Sequence, residues 1–121
     1  MDASQSWKLD MGARPTDDGV QFVVWAPRAK SVAVRVVGRE SKSFRMERRE
    51  RGYFEVTIPG ITAGARYTYS LDADKDRPDP ASRFQPDGVH KPSQVVDPDA
   101  FPWTDQQWRG VPQRELIIYE L

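Results

Sequence analysis

Residues 19–27, Gly-Val-Gln-Phe-Val-Val-Trp-Ala-Pro, constrain the fold more than any other stretch of this chain. A turn signal, Thr16-Asp17-Asp18-Gly19, leads into an apolar, β-branched and aromatic run that ends on a proline unable to donate to a ladder. The run is too short, and too rich in side chains stiff at χ1, to hold a helix without caps. A strand is therefore expected. Val20, Phe22 and Val24 share one face, while Val23 and Trp25 share the other. With apolar side chains on both faces the strand is predicted to be central and Trp25 to be core.

The same signature recurs along the chain. Residues 31–37 alternate, with Val32, Val34 and Val36 inward and Arg35 outward. After Gly38, residues 43–47 alternate again, with Phe44 and Met46 inward. Residues 53–58 place Phe54, Val56 and Ile58 together, and residues 65–71 place Tyr67, Tyr69 and Leu71 together, so both tyrosines are expected in the core. A short first strand over residues 7–13 is expected too, with Gly12 marking a bulge or a close approach. Short alternating strands separated by turn chemistry, with no helical period, predict an all-β antiparallel sandwich.

At residue 74 the composition changes. Seven of the ten prolines lie between Pro78 and Pro112, in a segment that also holds Trp103 and Trp108. Proline with embedded aromatics predicts an extended strap packed on something, not a floppy linker. The last six residues, Leu-Ile-Ile-Tyr-Glu-Leu, return to an apolar run of strand character and suggest a domain that belongs to a larger chain.

Composition excludes more than it selects. A chain of 121 residues without cysteine has no disulfide framework and no thiolate metal site. Its 18 basic and 18 acidic side chains cancel, so no global pull toward nucleic acid or anionic lipid is expected. Four arginines interleaved with two glutamates over residues 45–51 read as a solvated hairpin tip. No apolar run approaches the ~20 residues of a membrane span, and the N-terminus lacks a signal-peptide pattern, so a cytoplasmic location is expected. Asp72, Asp74 and Asp76 imitate the start of a calcium loop, but Arg77 and Arg83 stand where that loop needs glycine and a bidentate glutamate. His90, the single histidine, has no partner ligand or nucleophile in the sequence, so no metal, cofactor or catalytic residue is assigned.

Taken together, Gly-Val-x-Phe-x-Val-Trp-Ala-Pro, the Val-x-Val strand, Gly52-Tyr53-Phe54-Glu55 leading to Ile58-Pro59-Gly60, and Gly64-x-x-Tyr67-x-Tyr69 resemble a known family. It is the N-terminal immunoglobulin-like (early-set) domain of the α-amylase superfamily, classed as carbohydrate-binding module family 48. Residues 77–90, Arg-Pro-Asp-Pro-Ala-Ser-Arg-Phe-Gln-Pro-Asp-Gly-Val-His, are similar to the segment that joins this domain to the catalytic barrel in the glycosyltrehalose (maltooligosyltrehalose) trehalohydrolases. Lys91 stands where that loop is expected to carry glycine.

The resemblance implies a division into a flexible N-terminus (1–7), an immunoglobulin-like sandwich (8–73), a proline-rich strap toward a barrel (74–115) and the start of the first barrel strand (116–121). It implies a non-catalytic accessory domain of a retaining glycoside hydrolase that releases trehalose, with the nucleophile and acid/base on the barrel. Alternatives are a stand-alone weak α-glucan-binding module and a generic immunoglobulin-like interaction domain. Expected partners are the catalytic barrel and an α-1,4-glucan oligosaccharide. Candidate cleft-lining or carbohydrate residues are Phe84, Asp87 and His90 on the strap loop, and Trp103 and Trp108, which are expected to pack the strap on the barrel. The loop after residue 37 lacks the tryptophan that glycan-binding relatives carry, which favours the accessory role.

Overall fold

A computed structural model describes residues 10–121. The expected flexible end over 1–7, and the part of the first strand expected over 7–9, lie outside the described residues. Among the described residues, nine strands form two antiparallel sheets. One sheet runs β1 (Gly12–Thr16), β2 (Gly19–Trp25), β6 (Tyr53–Ile58), β5 (Glu47–Arg48). The other runs β4 (Lys42–Arg45), β3 (Val32–Val37), β7 (Arg66–Leu71), with β8 (Asp76–Arg77) and β9 (Ser93–Gln94) both on the outer edge of β7. The only helical pieces among the described residues are 3-10 turns. This is the antiparallel sandwich that the alternation predicts, of the immunoglobulin-like kind that the resemblance implies.

Period-2 alternation puts Val20, Phe22 and Val24 of β2 against Val32 and Val34 of β3 and Tyr67 and Tyr69 of β7, all buried. The Phe22 and Tyr67 rings pack edge to face with centroids 4.9 Å apart, and Tyr67 and Tyr69 do the same with centroids 5.7 Å apart. β2 is interior in its sheet, as expected. Its second face is not interior in the molecule, because a two-layer sandwich covers each sheet on one side only. Trp25, expected in the core, is therefore 54% exposed.

Residues 43–47, expected as one strand, divide at Met46. β4 pairs with β3 and β5 pairs with β6, so the chain crosses from one sheet to the other between them. Met46 stays buried at the crossing and donates its backbone N–H to Val32 O at 2.9 Å. Continuous alternation cannot reveal such a switch, since both halves keep the same parity.

The first half of the strap is part of the sandwich. After β8, residues 78–92 leave the β7 edge and return as β9, with Val95 buried and bonded to Ala65 and Gly64. Gly12 has φ +87, and a Cβ there would lie 2.7 Å from Arg83 Nη1 and 3.1 Å from Ala81 O. Gly12 thus marks a close approach, as its position suggests. Arg83 donates to Met11 O at 2.7 Å and Ala13 O at 3.3 Å, so the strap bridges both sheets.

Beyond Pro98 the chain makes no strand. Residues 116–121, expected to have strand character, form no strand and have no ladder partner among the described residues, and Ile117 is 96% exposed. A strand segment alone cannot satisfy its backbone except with water.

Candidate functional site

Aspartate 79 organises the strap and was not singled out by the sequence. Flanked by Pro78 and Pro80, it is 3% exposed. Its Oδ2 accepts from Tyr67 OH at 2.6 Å and Tyr69 OH at 3.4 Å, and Oδ1 accepts from Ala81 N at 2.8 Å. Its own N–H donates to the fully buried Ser93 Oγ at 3.1 Å. Desolvation raises the Asp79 carboxyl above its ordinary range, while the tyrosine and Ala81 hydrogen bonds and the nearby Arg83 charge pull it back. Burial first, and then the Asp79 charge, push both tyrosine hydroxyls far above theirs, so both stay protonated and can donate to Asp79. The cluster is a latch without a reactive group. The signal that could have found it is an acid between two prolines, twelve residues after a buried tyrosine.

This latch holds the base of a loop that carries three of the predicted residues. Phe84 is half exposed, and its carbonyl accepts from Gln94 N at 2.8 Å. Asp87 pairs with Arg66 of β7. His90 is exposed and forms no hydrogen bond or ion pair among the described residues. Positive φ in this loop belongs to Gly88, at +116, and Lys91 is not among the positive-φ residues, so lysine fits there without strain. The structure brings Phe84, Asp87 and His90 together on one loop. Trp103 and Trp108 sit on the separate, exposed terminal segment, where Trp103 stacks edge-on against Phe101 at 4.7 Å.

A second surface lies on the outer face of the β1-β2-β6-β5 sheet. Trp25 and Tyr53 are register partners, and both are exposed. Beside them an open groove is lined by Val23, Arg48, Arg49, Glu50, Tyr53 and Glu55. Its charges are largely satisfied. Arg49 binds Glu55 at 2.6 Å and Glu47 at 3.2 Å, and those partners raise its pKa further. Arg48 reaches Ala29 O at 2.7 Å and lies 5.4 Å over the Phe54 ring.

Trp25 Nε1 donates to Arg51 O at 2.9 Å and Ala26 N donates to Gly52 O at 2.9 Å, which holds the 50–52 turn with Arg51 at φ 59. Because this bond is solvent exposed, Trp25→Phe should lower the unfolding free energy by only about 0.5–1 kcal/mol in urea titration. A loss above roughly 3 kcal/mol would mean that Trp25 is a core residue after all.

The aspartates that resemble a calcium loop have structural tasks instead. Asp72 Oδ1 accepts from Lys30 N at 2.7 Å and Ser31 N at 2.9 Å, and Asp76 pairs with Arg35 at 2.9 Å. Asp72 and Ala73 both take positive φ in the turn closed by Asp74 N and Leu71 O. No helix among the described residues is long and apolar enough to cross a membrane.

Comparison with known proteins gives one consistent relationship. Residues 10–98 match carbohydrate-binding module 48, the isoamylase N-terminal domain. Over 113 residues the chain is 41% identical to the malto-oligosyltrehalose trehalohydrolase of Saccharolobus solfataricus, covering 93% of this chain and 20% of that protein. It is 40% identical to the Deinococcus radiodurans enzyme of the same name, over 92% of this chain and 18% of that one. Among solved structures, one from Salmonella typhimurium provisionally described as an alpha amylase superposes with a TM-score of 0.78 at 34% identity, covering 88% of this chain and 18% of that one. The chain thus spans about a fifth of the length of the curated relatives it matches.

Proposed function

The chain belongs to the carbohydrate-binding module 48 family, and from that premise we propose that it is the non-catalytic accessory domain of a larger glycoside hydrolase that releases trehalose from maltooligosyltrehalose. The observation that carries this reading is the 41% identity to a malto-oligosyltrehalose trehalohydrolase over 93% of the chain. Identity at that level across both sandwich and strap favours a shared parent, whereas a shared fold alone would not specify one. In this reading residues 8–73 and the strap as far as β9 form the sandwich, the rest of 74–115 leads to the catalytic barrel, and 116–121 begin its first strand. The exposed Trp103 and Trp108 then pack on the barrel. The loop with Phe84, Asp87 and His90 stands at the rim of the substrate cleft, in a cytoplasmic enzyme of trehalose formation.

A second reading is favoured by the exposed Trp25 and Tyr53 pair. A pyranose has apolar C–H faces and polar edges, and aromatic side chains beside charged groups suit both, so this face could hold an α-glucan weakly.

One titration separates the two. Isotope-labelled protein is titrated with maltoheptaose and with trehalose while amide shifts are followed. Flat spectra at millimolar sugar are expected for the accessory role. Saturable shifts clustered at Trp25, Tyr53 and Glu55 would establish the binding module instead. In the parent-length enzyme, Phe84→Ala and His90→Ala should alter trehalose release without unfolding the protein, and unchanged kinetics would remove the loop from the cleft.

A further inference from the structure

The loop 85–91 has an unusual internal arrangement. Gln85 Nε2 lies 2.9 Å from Val89 O, 3.4 Å from Gly88 O and 3.4 Å from Lys91 O, so one amide group serves converging carbonyls. Gly88 N donates to Gln85 O at 3.2 Å and Lys91 N to Gly88 O at 3.1 Å, which closes the loop on itself. Outside, the Arg66–Asp87 pair and the bond from Gln94 N to Phe84 O tie it to β7 and β9. These fastenings hold a tip that has nothing of its own to bury. Val89 is 72% exposed, and His90 beside it is exposed too.

Ordering a seven-residue loop costs about 1–2 kcal/mol per residue, and here the ordered tip shows an apolar side chain to water. The exposed tip buries no apolar surface within the domain. It suits a contact made elsewhere, because a loop already held in its bound shape loses less entropy on docking. The one acid of the loop, Asp87, is neutralised by Arg66, so the tip offers Val89 and an imidazole, with no anionic surface.

We propose that Gln85 is the positioning residue of a preformed docking loop, and that Val89 and His90 at its tip are the pair through which the domain contacts the catalytic domain of its parent. The occupant is chosen by length: about four fifths of each curated relative lies outside the region matched here. The proposal rests on the accessory-domain reading above, and hydrogen exchange tests it without reference to any activity.

Amide exchange is measured by rapid quench in the 121-residue chain and in the parent-length protein. In the short chain, Gln85→Met keeps the side-chain length and removes the donors. It should speed exchange at Gly88 and Lys91 about tenfold while leaving Gln94 and Val95 unchanged. Unchanged Gly88 and Lys91, or equal acceleration at Val95, overturns the role of Gln85. In the parent-length protein, Val89 and His90 amides should exchange about tenfold more slowly than in the short chain, and Val89→Ser should abolish the difference. Equal rates in the two proteins overturn the docking. A parent-length protein that protects the tip yet releases no trehalose would uphold the docking and sink the activity reading, so the two fail separately.

Discussion

Replacing Asp79 by alanine is expected to lower the unfolding free energy by about 3 kcal/mol, measured by urea denaturation. The carboxylate accepts from Tyr67 OH, Tyr69 OH and Ala81 N, and both hydroxyls are buried with it. Each orphaned donor costs about 1–3 kcal/mol, and relief of the carboxylate's own desolvation offsets part of the sum. Asp79→Asn keeps an acceptor and removes the charge, so it should cost about 1 kcal/mol or less at neutral pH. The pH dependence has a definite sign. The folded pKa of Asp79 is raised, mainly by desolvation, so the folded state holds this proton more tightly than the unfolded one. Its favourable contribution is complete below the unfolded pKa and is lost as pH rises through the folded value. Wild type should therefore gain stability relative to Asp79→Asn as pH falls from neutral toward 3.8. The exposed pairs, such as Arg35–Asp76, are common to both proteins, so the difference isolates Asp79. A difference constant with pH would show that burial does not burden this carboxylate.

Gly19→Ala is expected to cost about 3–4 kcal/mol. Gly19 sits at φ +137 where β2 begins, and a Cβ there would lie 2.1 Å from Ile58 O and 2.8 Å from Pro59 Cα. Those are backbone atoms of the neighbouring strand, so relief requires the ladder that pairs Val20 with Ile58 to move. Gly60→Ala provides the contrast. Gly60 also has positive φ, at +77, but its Cβ would meet nothing within 4 Å, so only the torsional cost of about 1 kcal/mol remains. Equal losses in the two variants would mean that backbone torsion, and not the approach of β6, makes Gly19 necessary.

Much of the sandwich was legible because a period of two is a local property. Tyr67 and Tyr69 could be placed in the core from β7 alone, and the residues at both ends of β6 agree with the alternation. Trp25 could not be placed so simply. Alternation divides a strand into two faces, but whether the second face is covered depends on the number of layers. The division at Met46 was hidden because it is set by which neighbours, Val32 or Phe54, the chain finds. Asp79 was hidden for a related reason: its partners Tyr67, Tyr69 and Ser93 lie ten to fourteen residues away and converge only when β8 and β9 flank one edge. Of the candidate residues, sequence placed Asp87 and His90 on one loop and Phe84 in the strap just before it. It did not anticipate Gln85, whose role depends on where three carbonyls point.

The bonds from Arg83 to Met11 and Ala13 also set a clock. They join positions 72 and 70 residues apart, so the β1 edge has to wait for a partner that leaves the ribosome much later. At about 5–20 residues per second that interval lasts several seconds, far longer than a hairpin such as β1–β2 needs to form. During it Gly12 and the β1 edge lack the side chain that seals them. A nascent chain of this kind is exposed to holdase chaperones for a period set by translation speed. Slower codons within the stretch between Gly12 and Arg83 would lengthen that exposure, and codons after the strap would not.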